Sequence, residues 1–395
     1  MRRLRIFLGV ALLSGALFAN ASASESRTFA SNLACAGQIV STWSMTQLAN
    51  ETIAIPVEAT NIGALGPAAH AGYGGILLFG STAPASMPRV LATLQRERPG
   101  HYAWMVMTDE EGGGVERLTN LVGSFPWAQT MGKNLSAHQI TAIARRVGTA
   151  LATAGVNTDL APVLDVDARA QYPGAANPDG YRSFSGVPSI AAADSTAFMK
   201  GLQSAGVLSV VKHFPGLGYA TRNTDYGPAA TLSWAKLQST GLVPFRQAID
   251  GGAAAVMMSN ARIPGLTSLP AGISAVAVQA LRTTLGFKGL IVTDSLSAGA
   301  ISALHLAEPA ASVLALAAGD DLILFGSPKS VAASLVLAAK ISNAIVSAVA
   351  KGTLLRPTLI AAAAQDLAAR NQLTCSPSTT TPPTTTTSPT TKTTL

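Results

Sequence analysis

Eight short apolar runs, most of them separated by stretches of helical spacing, constrain this chain more than any other feature. They are "ETIAIPVEA" (51–59), "GGILLFG" (74–80), "AWMVMTDEEGG" (103–113), "VNTDLAPVLDV" (156–166), "LSVVKHFPG" (208–216), "AAAVMMSNARIP" (253–264), "GLIVTDSLS" (289–297) and "DDLILFG" (320–326). Continuous apolar segments of this length read as strands buried on both faces. The intervening segments "SAHQITAIARRVGTALATAG" (136–155) and "SIAAADSTAFMKGLQSAG" (189–206) have helical spacing and end on Gly155 and Gly206, good helix stops. Strand and helix alternating through eight strands predict an α/β fold, a (β/α)8 TIM-type barrel in a single catalytic domain. A doubly wound open sheet competes, but it usually carries a GxGxxG turn after its first strand, and none occurs there.

The chemically capable residues follow the apolar runs: Asp109 and Glu111, Asp165 and Asp167, Lys212 and His213, Ser259 and Asn260, and Asp294. In a barrel these positions are the C-terminal strand ends, where the active site is built. For Asp165, Asp167 and Asn260, capping and loop hydrogen bonding fit the sequence equally well.

With 395 residues, 48% hydrophobic and 12% charged, the chain can bury a large core. Its ends read differently from its middle. "MRRLR" followed by "IFLGVALLSGALFA" and "NASAS" predicts a secretory signal over residues 1–23, too short an apolar run for a comfortable membrane span. "SPSTTTPPTTTTSPTTKTTL" has nothing to bury, so 376–395 is expected to be a disordered tail and 24–375 the catalytic domain. Cys35 and Cys375 sit just inside these ends and are candidates for one disulfide in an exported protein, with two free thiols as the alternative. Loss of Arg2, Arg3 and Arg5 with the leader lowers the formal charge from +7 to +4. There is no Lys/Arg run of the nucleic-acid type. The expectation is a secreted or cell-wall-associated bacterial protein, monomeric, with no transmembrane anchor and no nucleic-acid partner.

Carboxylates at strand ends, little histidine, no metal-spaced Cys/His set and no phosphate loop point toward glycosyl transfer to water, with no metal or cofactor expected. That reaction uses two carboxyl groups flanking the scissile bond, together with donors that hold sugar hydroxyls. Asp294 emerges directly from a strongly hydrophobic strand and is the best nucleophile candidate. It reads equally well as a cap for the next helix. Asp109 lies at a strand end beside glycines that would let backbone approach a ligand, and its plainer reading is a tight turn. Arg117 follows on the next element, and Arg182 lies in the turn-rich "NPDGYRSFSG".

Together "TDEEGGGVERL", "GVNTDLAPVLDV", "YRSFSG", "KHFPGLG" and "VTDSLSAGA" resemble, in order and spacing, the signature segments of glycoside hydrolase family 3. The resemblance runs from about residue 50 to 326. Because the chain stops after one barrel, it resembles the single-domain bacterial β-N-acetylglucosaminidases of the NagZ type rather than the multidomain β-glucosidases. The resemblance implies a retaining mechanism with Asp294 as nucleophile. Asp109, Arg117, Arg182, Lys212 and His213 match positions that hold the non-reducing sugar. Glu110 stands where the family usually has Gln, Ser295 where many members have a second Asp, and Ala298 where Met is usual.

One loop departs from the family pattern. Members typically read K-H-F-P-G-H-G and then D-S-H, whose Asp–His pair is the general acid/base. Here Leu217 replaces the second histidine, and Asn223, Thr224 and Asp225 occupy the D-S-H positions. Asp225 is the only ionisable carboxyl in that loop and becomes the candidate acid/base, its pKa to be raised by burial or by the Asp294 charge. Asn223 is a possible support that orients it. The leading expectation is an exported β-N-acetylhexosaminidase acting on peptidoglycan fragments or other N-acetylglucosamine glycosides. A β-glucosidase, β-xylosidase or phosphorylase on the same barrel, or a sugar-binding protein that has lost turnover, are the alternatives.

Overall fold

The computed structural model describes residues 30–326, 330–370, 373 and 375; the expected leader and tail lie outside the described residues. Seven of the eight apolar runs form strands: β1 (Ala54–Glu58), β2 (Gly75–Phe79), β3 (Met105–Thr108), β4 (Thr158–Asp159), β5 (Leu208–Phe214), β6 (Ala255–Met258) and β7 (Leu290–Thr293). They pair in parallel, each beside the next in sequence, in one curled sheet.

Strand β4 is shorter than its apolar run because Pro162 has no N–H to give to a ladder. Pairing resumes beyond it, where Leu164 N–H donates to the Lys212 carbonyl at 2.6 Å. The eighth run is not a regular strand. It makes isolated parallel bridges to both edges of the sheet, Leu322 to Val292 in β7 and Ile323 next to β1 at Ile53. Ala54 N–H donates to the Ile323 carbonyl at 3.1 Å, and Thr293 N–H to the Leu322 carbonyl at 3.0 Å.

Alternation along the strands explains why the runs are apolar throughout. Met105, Met107, Val210, Ala255, Met257, Leu290 and Val292 point to an inner core that Leu322 and Leu324 join. Their neighbours Ile55, Val106, Val211, Val256 and Ile291 face the surrounding helices. The helices used below are α1 (Ala137–Thr153), α2 (Pro188–Ser204), α3 (Glu308–Ala318), α4 (Val331–Ala350) and α5 (Arg356–Arg370). Helix α1 begins with a capping box between Ser136 and Gln139, and α1 and α2 stop two residues before Gly155 and Gly206.

Helix α4 is long and apolar enough by composition to cross a membrane. Its Ser334, Ile341 and Ile345 face is buried, and Ser334 Oγ donates to the Pro56 carbonyl of β1 at 2.8 Å. Helix α5 is anchored under the sheet by Arg370, which donates to the Gly74 carbonyl and to Asp366 at 2.6 Å each and also pairs with Glu51. Beyond it, Cys35 and Cys375 are joined in a disulfide closing a loop of 340 residues. Closing a loop of that length removes about 5–6 kcal/mol of unfolded-chain entropy.

Candidate active site

A cavity of about 300 Å³ opens where β3, β5 and β7 end. Asp109, Arg117, Arg182, Lys212, His213, Asn223, Asp225 and Asp294 all line it. The sequence places these residues far apart, and the fold brings them to one place.

Glu111 is the hub of the wall. Arg182 Nε and Nη2 donate to its two oxygens at 2.8 Å each, and Lys212 Nζ lies 2.6 Å from its Oε1. Lys212 also donates to Asp109 Oδ1 at 2.6 Å. Burial pushes the Glu111 carboxyl up, but the charges and hydrogen bonds of Arg182 and Lys212 outweigh it and hold Glu111 below the usual carboxylate range. The Lys212 ammonium, although buried, is kept charged by Asp109 and Glu111. Arg117 lies over the Phe79 ring at 5.8 Å, and its buried Nε has no partner among the described residues.

His213 is held from behind. Its Nδ1 lies 2.8 Å from Asp165 Oδ2, and Asp165 Oδ1 accepts the Leu217 N–H at 2.6 Å. Burial, reinforced by the Arg182 charge, pushes His213 down to about 4, so the ring is neutral near pH 7. Nδ1–H then donates to Asp165, and Nε2 is left as an acceptor beside Arg182. Burial pushes Asp165 up to about 7, against the hydrogen bonds it receives. Asp179 is raised well above the ordinary value by burial and by the Asp165 charge. Asp165, Asp179 and His213 have ligand atoms within 4.8 Å of one another, the spacing of a possible metal cage, but Asp165 is already engaged by the two N–H groups named.

Asp294 leaves β7 with its N–H donating to the Met258 carbonyl at 3.0 Å. Its Oδ1 accepts the Ser295 N–H at 2.7 Å. The helical turn that follows, Gly299–Ser302, starts at Ala298 without a side-chain cap, so Asp294 caps nothing and faces the cavity. Asn260 holds the backbone directly after Asp294 by donating Nδ2–H to the Ser295 carbonyl at 2.7 Å. Burial and the Asp225 charge both push Asp294 up.

The "NTD" loop lies across the opening. Asn223 Oδ1 accepts the Asp225 backbone N–H at 2.9 Å, so Asn223 orders the turn rather than holding the Asp225 carboxylate. Asp225 is exposed, which removes burial as the device that would tune it. The loop rests on Gly299, where a Cβ would stand 2.7 Å from Gly227 N and 2.8 Å from the Asp225 carbonyl. Only a glycine lets the segment after Asp294 approach the Asp225 backbone so closely.

The glycines of "TDEEGGGVERL" serve packing rather than a ligand. A Cβ on Gly113 would meet the Trp127 ring at 2.1 Å. Asp167 is bound bidentately by Arg169 and stays outside the cavity lining. Glu111 and Asp165 stand in the sequence among the strand-end candidates, Asp165 equally well as a loop cap, and neither has a specific part there. Their only signal was position, directly after an apolar run.

Residues 67–367 match the glycosyl hydrolase family 3 N-terminal domain. The chain belongs to this family. It is similar to the β-hexosaminidase LpqI of Mycobacterium tuberculosis, 35% identical over 274 residues, 66% of this chain and 68% of that one. It is also similar to an uncharacterised secreted glycosyl hydrolase of Arthroderma benhamiae, 33% identical over 292 residues, 71% of this chain and 80% of that one. Among solved structures, a β-N-acetylhexosaminidase from Beutenbergia cavernae superposes with a TM-score of 0.72 at 30% identity, covering 83% of this chain and 98% of its own.

Proposed function

We propose that this family 3 protein is an exported, retaining β-N-acetylhexosaminidase that removes terminal β-linked N-acetylglucosamine from peptidoglycan-derived fragments. The observation that carries the reading is Asp294 at the end of β7, in one cavity with Asp109, Arg182, Lys212 and His213. The names of the relatives support the sugar, and the leader-like N-terminus and the secreted relative from Arthroderma benhamiae support export. The bridges of segment 320–326 to both sheet edges support a closed eight-stave barrel.

In this reading Asp109, Arg182, Lys212 and neutral His213 hold the hydroxyls of the terminal sugar, and Arg117 reaches the same ring. The Asp294 carboxylate attacks the anomeric carbon as the bond from that carbon to the leaving oxygen breaks. The leaving oxygen takes its proton from Asp225. Water then attacks the anomeric carbon, returns a proton to Asp225 and releases Asp294. The bound sugar covers Asp225 from solvent, supplying the desolvation that the exposed loop lacks.

The test is trapping with a fluorinated glycosyl donor followed by peptide mapping. Label on Asp294 is expected, and label elsewhere overturns the mechanism. Turnover of 4-nitrophenyl β-N-acetylglucosaminide above the β-glucoside and β-xyloside tests the sugar. A requirement for phosphate would move the reading to a phosphorylase. The missing Asp–His pair favours a second reading, a sugar-binding protein, which would bind N-acetylglucosamine and turn over none of the three.

A further inference from the structure

The cavity around Asp294, about 300 Å³, is at the small end of ligand pockets, yet aromatic side chains continue past its mouth. Tyr226 lines the cavity and is 62% exposed. Tyr172 is 72% exposed and adjoins the lining residues Pro173 and Gly174. Single exposed rings are common on protein surfaces, but two beside one opening extend its polar lining with apolar surface.

Tyr172 is not a loose side chain. Its ring meets Tyr181 edge-on at 5.1 Å and Trp127 at 6.0 Å, and Trp127 is seated against the Gly113–Gly114 backbone. The loops carrying Tyr172 and Tyr226 are tied together, with Asn223 N–H donating to the Ala175 carbonyl at 2.9 Å. Tyr226 directly follows Asp225, the residue proposed to protonate the leaving sugar, and both line the cavity. Tyr219, also partly exposed, differs because its ring is already covered by the Arg169 guanidinium at 5.1 Å.

A pyranose with equatorial substituents presents an apolar C–H face, and a rigid exposed phenol ring matches that face in size and polarity. We propose that Tyr172 and Tyr226 form the platform for the second, leaving-side pyranose of a β-linked amino-sugar saccharide. The proposal rests on the hexosaminidase reading and extends it from the sugar that is released to the one left behind.

Binding rather than turnover tests it. The Asp294→Asn protein is titrated calorimetrically with methyl β-N-acetylglucosaminide and with the β-1,4 disaccharide of N-acetylglucosamine. The disaccharide is expected to bind about tenfold more tightly. Tyr172→Ala and Tyr226→Ala should each cut that ratio by roughly threefold or more, while the Phe variants should keep it. A ratio near one, a ratio that survives both Ala variants, or equal losses on the two ligands overturns the platform. The hydrolase reading fails separately, when wild-type protein cleaves no β-N-acetylglucosaminide although the binding ratio holds.

Discussion

Arg182 grips Glu111 with two hydrogen bonds of 2.8 Å, the carboxylate buried and the guanidinium part-buried in the cavity that Asp294 also lines. Removing the Glu111 charge leaves Lys212 with Asp109 as its remaining ion-pair partner and takes from Arg182 the carboxylate it pairs with. Glu111→Gln should therefore destabilise the fold by about 3 kcal/mol, the usual cost of breaking a buried pair. It should also raise KM for N-acetylglucosaminides, because Lys212 and Arg182 lose the positions from which they meet the sugar. Urea unfolding and steady-state kinetics check both, and unchanged stability would mean that the clamp is not formed.

The acid limb of the kcat/KM profile should follow Asp294. Its carboxyl is raised by burial and by the Asp225 charge, so the nucleophile is lost to protonation at a higher pH than for an ordinary aspartate. Asp225→Asn removes the candidate proton donor. The same variant should lose about 10²–10⁴-fold in rate on natural disaccharides and much less on nitrophenyl glycosides, which leave with little acid help. An acid limb at the ordinary aspartate value would detach it from Asp294, and equal losses on both substrates remove Asp225 as the acid.

Gly299 links the two halves of the proposed mechanism, since the backbone of Asp225 to Gly227 rests on it. Gly299→Ala must push that loop away by several tenths of an ångström or more. Hydrolysis of disaccharides should fall at least tenfold, while trapping of Asp294 by a fluorinated donor should persist. Full activity in this variant would show that the loop position does not matter to proton transfer.

The sequence was most legible where one physical rule dominates. Strands buried on both faces read as apolar runs, so seven strands lie where periodicity puts them, and the strand-end polar residues converge because of that layout. The eighth run was less legible. Leu322 and Ile323 make only single bridges, and a run's apolarity does not report how regularly it pairs. Individual contacts were least legible. Asp165 is indistinguishable from a loop cap until the fold brings His213 to within 2.8 Å, 48 residues along the chain. The Gly112–Gly114 run looks like a ligand loop until Phe125 and Trp127 are seen against it. Asn223 looked like a partner for the Asp225 side chain, and its bond goes instead to the Asp225 backbone.

Glu110 offers a test of the folded core that is independent of the chemistry. It is buried, its Oε1 accepts the Arg117 and Leu118 N–H groups at 2.8 and 2.5 Å, and its Oε2 has no partner among the described residues. Burial pushes its carboxyl up to about 7 from an ordinary value of 4.5, despite those two hydrogen bonds. Between these values the unfolded chain ionises at Glu110 while the folded chain keeps its proton. The folded state therefore holds more protons, and this group lowers stability as pH rises through that window. Glu110→Gln keeps an acceptor for the two N–H groups and removes the titration. The variant should gain stability relative to wild type as pH rises from 4.5, by roughly 3 kcal/mol at most once pH passes 7. Urea unfolding of both proteins at several pH values measures the difference, and a gap that does not change with pH would place the proton elsewhere.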